Sequence, residues 1–335
     1  MAWEYEGLFD VIPTDAGLLA DYWKSEATAV RIGQMGYRTL TVKAGTRLEA
    51  EVYPIFGRSM ERQAREAKKE ITKERQQQLN TRRSKRRLIL LVENNFRFWE
   101  DYAITLTYKE GEEPENERRC RKDLRNFFLR LRRIREKRNL PELKYIYAIG
   151  YDADKRIHAH CLVTGGIDRT ELEKIWGKGY ANTYSLQTYG KGLQGIAAYL
   201  YKQNEKARDN GDRVNYHMWS GSRNLKTPKP HVSDCKISNR KVKKLARNFR
   251  NEAKEIMEKI YPGYVLEDGE VRYSDIVDGV YITVVMRKKE DEDARRKQDG
   301  VQKVQPAHER TVQEGEQEGP GAFYWPQYSA VGRFC

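Results

Sequence analysis

The stretch Arg156-Ile-His158-Ala-His160-Cys-Leu-Val163 decides how this chain is read. It is rich in β-formers and reads as a strand. Side chains at i and i+2 of a strand point to the same face, so His158 and His160 project side by side. Two imidazoles in that arrangement suit a metal ion, although a bare His-x-His is more often a pair of solvated strand histidines. The second signal comes 39 residues after His160, in Tyr199-Leu-Tyr-Lys202.

The surroundings suggest an antiparallel sheet. Lys144–Gly150 reads as a strand, Asp152-Ala-Asp154 as a turn, and the two strands as a hairpin. Tyr102–Tyr108, with its β-branched and aromatic residues, predicts another strand, and residues 182–187 a further one. Between them, residues 118–138 predict an amphipathic helix. Leu124, Phe127, Phe128, Leu131 and Ile134 follow the 3.6 period, and the opposite face holds 11 Lys/Arg against Asp123 and Glu136. Gly165-Gly166 breaks the hairpin, and Asp168 caps a helix through Trp176. Residues 191–204 predict a helix, followed by a basic segment over 205–235. Ser238 is placed to cap one basic helix running to about residue 260, and Tyr281–Met286 predicts a last strand.

Residues 1–57 give no clear pattern. Residues 58–92 are helical in character, with 12 Lys/Arg against 4 Glu, and include Arg82-Arg83-Ser-Lys85-Arg86-Arg87. That run reads equally as a solvated face or as a DNA-contacting arm. From about 288 the chain is polar and rich in Gln, Glu and Gly, the composition of a disordered tail. The expected organisation is a basic, partly helical region over 1–95, a catalytic domain over 96–235, a helix and strand extension over 236–287, and a tail over 288–335. The fold class expected is α+β, with helices on one face of the sheet and the active site on the other.

The charge balance narrows the partners. The 335 residues carry a net charge of +14, with mean hydropathy −0.88, which implies a polyanion, nucleic acid first and an anionic membrane second. No stretch approaches the roughly 18 apolar residues that span a bilayer. The first residues lack the basic and apolar regions of a signal peptide. Four scattered cysteines fit a reducing cytoplasm and form no structural zinc motif. There is no GxxxxGK[ST], so ATP-driven unwinding would fall to another protein.

On the 191–204 helix, Leu193, Ile196, Ala197 and Leu200 share an apolar stripe. At about 100° per residue, Tyr199 and Lys202 lie about 60° apart on one flank, whereas Tyr201 turns toward the packed side. Tyr199 is the candidate nucleophile and Lys202 the candidate charge beside it. A phenol has a reference pKa of about 10, so positive charge must help form the phenolate. A divalent ion on His158 and His160 would polarise a phosphate. Imidazole suits Mn²⁺ better than Mg²⁺.

Taken in order, these motifs resemble the HUH-type rolling-circle replication initiators, in the bacterial and phage group related to filamentous-phage gene II protein. Ala103-Ile-Thr-Leu-Thr-Tyr108 is similar to the first motif, Arg156–Gly166 to the metal motif, Ile196–Lys202 to the YxxK motif, and Ser222–Pro228 to a segment that often follows. The resemblance covers about residues 85–230. It implies metal-dependent nicking and rejoining of single-stranded or supercoiled origin DNA through a 5′-phosphotyrosine, with a host helicase and DNA polymerase as partners and no membrane. Arg82, Arg83, Arg86, Arg87, Arg223 and Lys226 are the expected phosphate contacts. Two departures stand out. Gly150 occupies the strand-end position where relatives often have a carboxylate, which leaves Asp152 or Gln203 as third metal ligand. Ala159 is small where the family is usually bulky. A relaxase or transposase would share the mechanism, and a non-catalytic basic DNA-binding regulator would share the composition.

Overall fold

The computed structural model describes residues 36–55, 73–151, 156–186, 193–208, 218–273 and 279–289. They form two five-stranded antiparallel sheets and six helices. Strands β1 (Tyr37–Ala44) and β2 (Arg47–Pro54) come first, then α1 (Lys73–Asn95), β3 (Tyr102–Leu106) and α2 (Glu117–Lys137). Next are β4 (Tyr145–Tyr151), β5 (Ile157–Val163), α3 (Arg169–Trp176), β6 (Ala181–Ser185) and α4 (Gln194–Arg208). The chain continues through β7 (Ser220–Gly221), β8 (Pro230–Ser233), α5 (Asn239–Arg247), α6 (Phe249–Ile260), β9 (Tyr264–Tyr273) and β10 (Val280–Lys288). No helix among the described residues is long and apolar enough to cross a membrane.

The second sheet, ordered β6-β3-β5-β4-β7, contains the His-x-His strand. Both of its faces are covered, a departure from the expectation of helices on one face only. One face carries Ile104, Leu106, Ala159, Cys161 and Val163, packed against Leu124, Phe127 and Leu131 of α2 and Trp176 of α3. The other carries Ala103, Ile146, Ala148 and Leu162, packed against Leu88 and Val92 of α1 and Leu193, Ala197 and Leu200 of α4. The period-2 alternation of β3, β4 and β5 is apolar on both sides, so both sides demand a partner layer.

Of the first sheet, ordered β8-β1-β2-β10-β9, only β10 is expected from the sequence, as the strand over Tyr281–Met286. Its outer face packs Leu48, Val52, Ile282 and Val284 against Val242 and Leu245 of α5 and Ile256 and Met257 of α6. These are two helices rather than one basic helix to residue 260, because the chain leaves helical geometry at Asn248, with φ −148° and ψ 69°. Ser238 stands at the N-cap of α5 without a side-chain capping bond. The sheet draws β1 and β2 from the 1–95 region and β9 and β10 from the 236–287 region.

Between the sheets lies α1. Its basic run is expected to belong to an arm; residues 73–95 instead form a packed layer, because Leu88-Ile-Leu-Leu-Val92 supplies an apolar stripe that the second sheet buries. The opposite flank is ionic. Arg86 holds Glu49 at 2.7 Å and Glu51 at 2.6 Å on β2. Glu93 holds Arg287 of β10 at 3.0 Å, with both side chains almost fully buried. Gly45 makes the β1–β2 turn at φ 57°, and a Cβ there would fall on the Glu93 carbonyl oxygen. Only glycine lets the hairpin tip approach α1 so closely. The layer order is α5 and α6, first sheet, α1 with α4, second sheet, α2 and α3. Residues expected in the tail beyond 289 lie outside the described residues, as do 58–72 of the expected arm.

Candidate active site

The site is built on the second sheet's α4-facing side. The strand register aligns four residues across it, Ala148, His160, Thr105 and Asn182, on β4, β5, β3 and β6. One pleat further along, His158 stands opposite Gly150. The two imidazoles project from the same face with ring centroids 4.8 Å apart and planes at 89°.

His160 is 5 % exposed, and its Nδ1 lies 3.1 Å from Thr105 Oγ1. Burial, and then the neighbouring His158, hold its imidazole down to about 3, so it is neutral at physiological pH. A neutral imidazole is the form that binds a metal, and a hydrogen bond at Nδ1 directs Nε2 toward the ion. Sequence reasoning does not find Thr105. Its place in a period-2 strand predicts its face, but only the register with β5, 55 residues away, makes it a neighbour of His160.

The helix α4 meets this row directly. The Tyr199 ring stands edge-on to His160, with centroids 5.1 Å apart and planes at 84°. Tyr199 is half-buried, whereas Tyr201 is 1 % exposed and packs among Leu88, Leu193 and Leu200. The helical phase therefore separates the two tyrosines as the spacing predicts. The first residue of α4 is held from the other sheet, since Arg47 Nη1 donates to Gln194 Oε1 at 2.7 Å.

Other expected site residues fall elsewhere. Asp152 lies outside the described residues, and the side chains of Lys202 and Gln203 are likewise not described. Among the described residues no three His, Cys, Asp or Glu side chains are grouped to hold a metal. The donors seen are two imidazoles, which could supply part of the ligand set of a divalent ion; Mn²⁺ or Mg²⁺ would need oxygen ligands besides. Arg82 and Arg87 are exposed on α1; Arg83 is half-buried, and Arg86 is committed to Glu49 and Glu51. Arg223 and Lys226 are exposed in the loop after β7. That loop is fixed by Asn95, whose Oδ1 accepts from Lys226 N at 2.8 Å, and by Ser222, whose N donates to Tyr145 O at 2.9 Å. Tyr145 pairs with Val163, three residues past His160, so this anchor lies about 10 Å along the strand from the histidines. The Arg-rich α2 covers the opposite face of the sheet from the imidazoles.

The ordered strand, histidine pair and tyrosine helix lie in one continuous span. Residues 101–208 match the family model of the replication-associated protein ORF2/gene II protein. The resemblance to the gene II-related group is thus met over this span. The matched segment runs from the start of β3 to the end of α4. It includes Thr105, His158, His160 and Tyr199 and leaves out every strand of the first sheet. No curated protein and no solved structure matches the chain.

Proposed function

We propose that the protein is a metal-dependent, HUH-type DNA nickase and strand-transfer enzyme that initiates rolling-circle replication. The observation that carries this reading is the meeting of His158, His160 and Tyr199 on one sheet face, with the His160 and Tyr199 ring centroids 5.1 Å apart. Its setting in a replication-associated segment supplies the biological context.

In this reading, Tyr199 Oη attacks the scissile phosphorus. The bond from phosphorus to the 3′ oxygen breaks, and the phosphate remains on Tyr199 as a 5′-phosphotyrosine. The departing 3′ oxygen takes a proton and becomes the primer hydroxyl. His158 and His160 would hold a divalent ion, Mn²⁺ or Mg²⁺, which would supply positive charge for the phosphate. Thr105 fixes the orientation of His160, and Lys202, one helical turn beyond Tyr199, supplies charge that favours the phenolate. Asp152 and Gln203 are the candidate third ligands. Rejoining reverses the attack, with a 3′ hydroxyl displacing the tyrosine.

The test is nicking of a supercoiled plasmid carrying the native replicon, with and without Mn²⁺. The expected product is an open circle with protein attached at the 5′ end. A second reading, a non-catalytic DNA-binding regulator, draws on Gly150 opposite His158, where a carboxylate ligand would stand. Tight plasmid binding without metal-dependent nicking would select it.

A further inference from the structure

The helix α5 lies on the far side of the first sheet from the histidine row. Val242, Leu245 and Ala246 are its buried residues. The remaining surface is cationic, with Arg240, Lys244 and Arg247 exposed and Lys241 and Lys243 half-buried. At about 100° per residue, Arg240, Lys244 and Arg247 fall within an arc of about 60° opposite the buried side. They form a stripe about 10 Å long. Lys236 precedes it and Arg250 follows it, and residues 236–250 contain no Asp or Glu.

General basicity does not account for this stripe. The adjacent α6, on the same sheet face, balances Arg250, Lys254 and Lys259 with Glu252, Glu255 and Glu258, and Lys259 pairs with Glu255 at 2.6 Å. Lys244 reaches Glu252 only at 3.8 Å. Among the described residues Arg240, Lys241, Lys243 and Arg247 form no ion pair. The helix dipole does not explain it either. Cations stabilise a helix C-terminus, but Arg240 and Lys241 occupy the first turn of α5, where positive charge is disfavoured.

We propose that the Arg240–Lys244–Arg247 face of α5 docks the phosphate backbone of duplex DNA, at a surface separate from the nicking site. Three layer spacings of about 10 Å each lie between α5 and the histidine row. The resulting distance of about 30 Å is close to one turn of duplex. The face would hold the double-stranded flank while the opened strand occupies the site. This rests on the reading of the protein as a DNA nickase only for the identity of the polyanion.

The test uses full-length protein, a 30-base-pair duplex of arbitrary sequence and one of its single strands, over 50–200 mM salt, with no cleavage required. The triple variant Arg240→Gln, Lys244→Gln and Arg247→Gln should weaken duplex binding at least tenfold at 100 mM salt. It should flatten the log K against log salt slope by about two to three, from three lost phosphate contacts. Single-strand affinity should stay within about twofold. The double variant Arg240→Lys, Arg247→Lys should retain duplex binding, which separates lost charge from lost folding. Unchanged duplex affinity in the triple variant overturns the proposal. So does an equal loss on single strands. A protein that binds duplex through α5 yet never nicks would leave this inference standing and remove the catalytic reading.

Discussion

Arg47, at the start of β2, donates a 2.7 Å hydrogen bond to Gln194, the first residue of the helix that carries Tyr199. Arg47 is 4 % exposed and is braced by Glu49 at 2.8 Å. The first sheet thereby grips α4 five residues before Tyr199. Gln194→Ala should slow adduct formation about tenfold while leaving DNA affinity within twofold, since a hydrogen bond to a charged group contributes roughly 1.5–3 kcal/mol. Gln194→Glu keeps the contact as an ion pair and adds a favourable charge in the first turn. It should restore the rate. Single-turnover kinetics on both variants checks this; a slow Gln194→Glu would reduce the contact to packing.

Tyr199→Phe keeps the ring against His160 and removes the oxygen. DNA binding should persist, and the covalent adduct should vanish. Tyr201→Phe should keep most activity, because that residue is in the core. Mass spectrometry of the peptide retained on a labelled single strand of the native origin identifies the attached residue. Attachment at Tyr201 would overturn the geometry.

His158 is half-exposed and His160 buried, so the two variants should differ in stability but not in outcome. His158→Ala should reduce Mn²⁺-dependent nicking at least a hundredfold with little change in melting temperature. Asp152→Ala should weaken Mn²⁺ affinity if it completes the donor set. Metal titration of nicking rate reads both, and a His158→Ala protein that nicks at the wild-type rate removes the metal assignment.

Glu49 gives a pH signature. Burial pushes its carboxyl up, but Arg86 and Arg47 together outweigh burial and bring it below the ordinary glutamate value of 4.5. A carboxyl lowered on folding contributes stability that is present above its unfolded value and lost as pH falls through its folded value. Glu49→Gln should therefore cost about 3 kcal/mol at pH 7, where it leaves the buried Arg47 without its carboxylate while Arg86 keeps Glu51. The gap from wild type should narrow as pH drops below about 4.5. Urea unfolding at pH 7 and pH 3.5 measures it, and a gap independent of pH would show the effect to be packing.

Of the basic run on α1, Arg82 and Arg87 are exposed while Arg86 is held by two glutamates. Arg82→Gln with Arg87→Gln should flatten the salt slope of single-strand binding by about 1.4 and leave stability unchanged. Arg86→Gln should instead destabilise the fold. An unchanged slope in the double variant would make the pair a solvated face.

The second sheet is legible in the sequence because its strands are rich in β-branched and aromatic residues and its helices have apolar stripes; Leu124, Phe127, Phe128 and Leu131 place α2 without ambiguity. Of the first sheet only β10 is, through Tyr281–Met286. Residues 1–57 give no clear pattern because Arg47, Glu49 and Glu51 of β2 face α1, which covers them with charges of its own, and the Arg86–Glu49 pairing spans 37 residues. β9, with Glu267, Asp268, Gly269 and Glu270, lacks a strand signature and is held by β10. At the site, helical phase is enough to distinguish Tyr199 from Tyr201. Thr105 depends on inter-strand register, and Gln194 on a contact from a sheet the sequence does not announce.

The pairing of β2 with β10, Ala50 opposite Val284, bears on how the protein is made. On the ribosome the β1–β2 hairpin emerges early, yet the strand it needs is synthesised more than two hundred residues later. Until then the β2 edge is open, its apolar Leu48, Ala50 and Val52 uncovered, the kind of surface that invites aggregation. A chain stopped after the family-matched segment should therefore express poorly, although its histidines and tyrosine are all present. A premature stop ahead of β10 would read, in the cell, as a solubility defect before it read as a loss of activity.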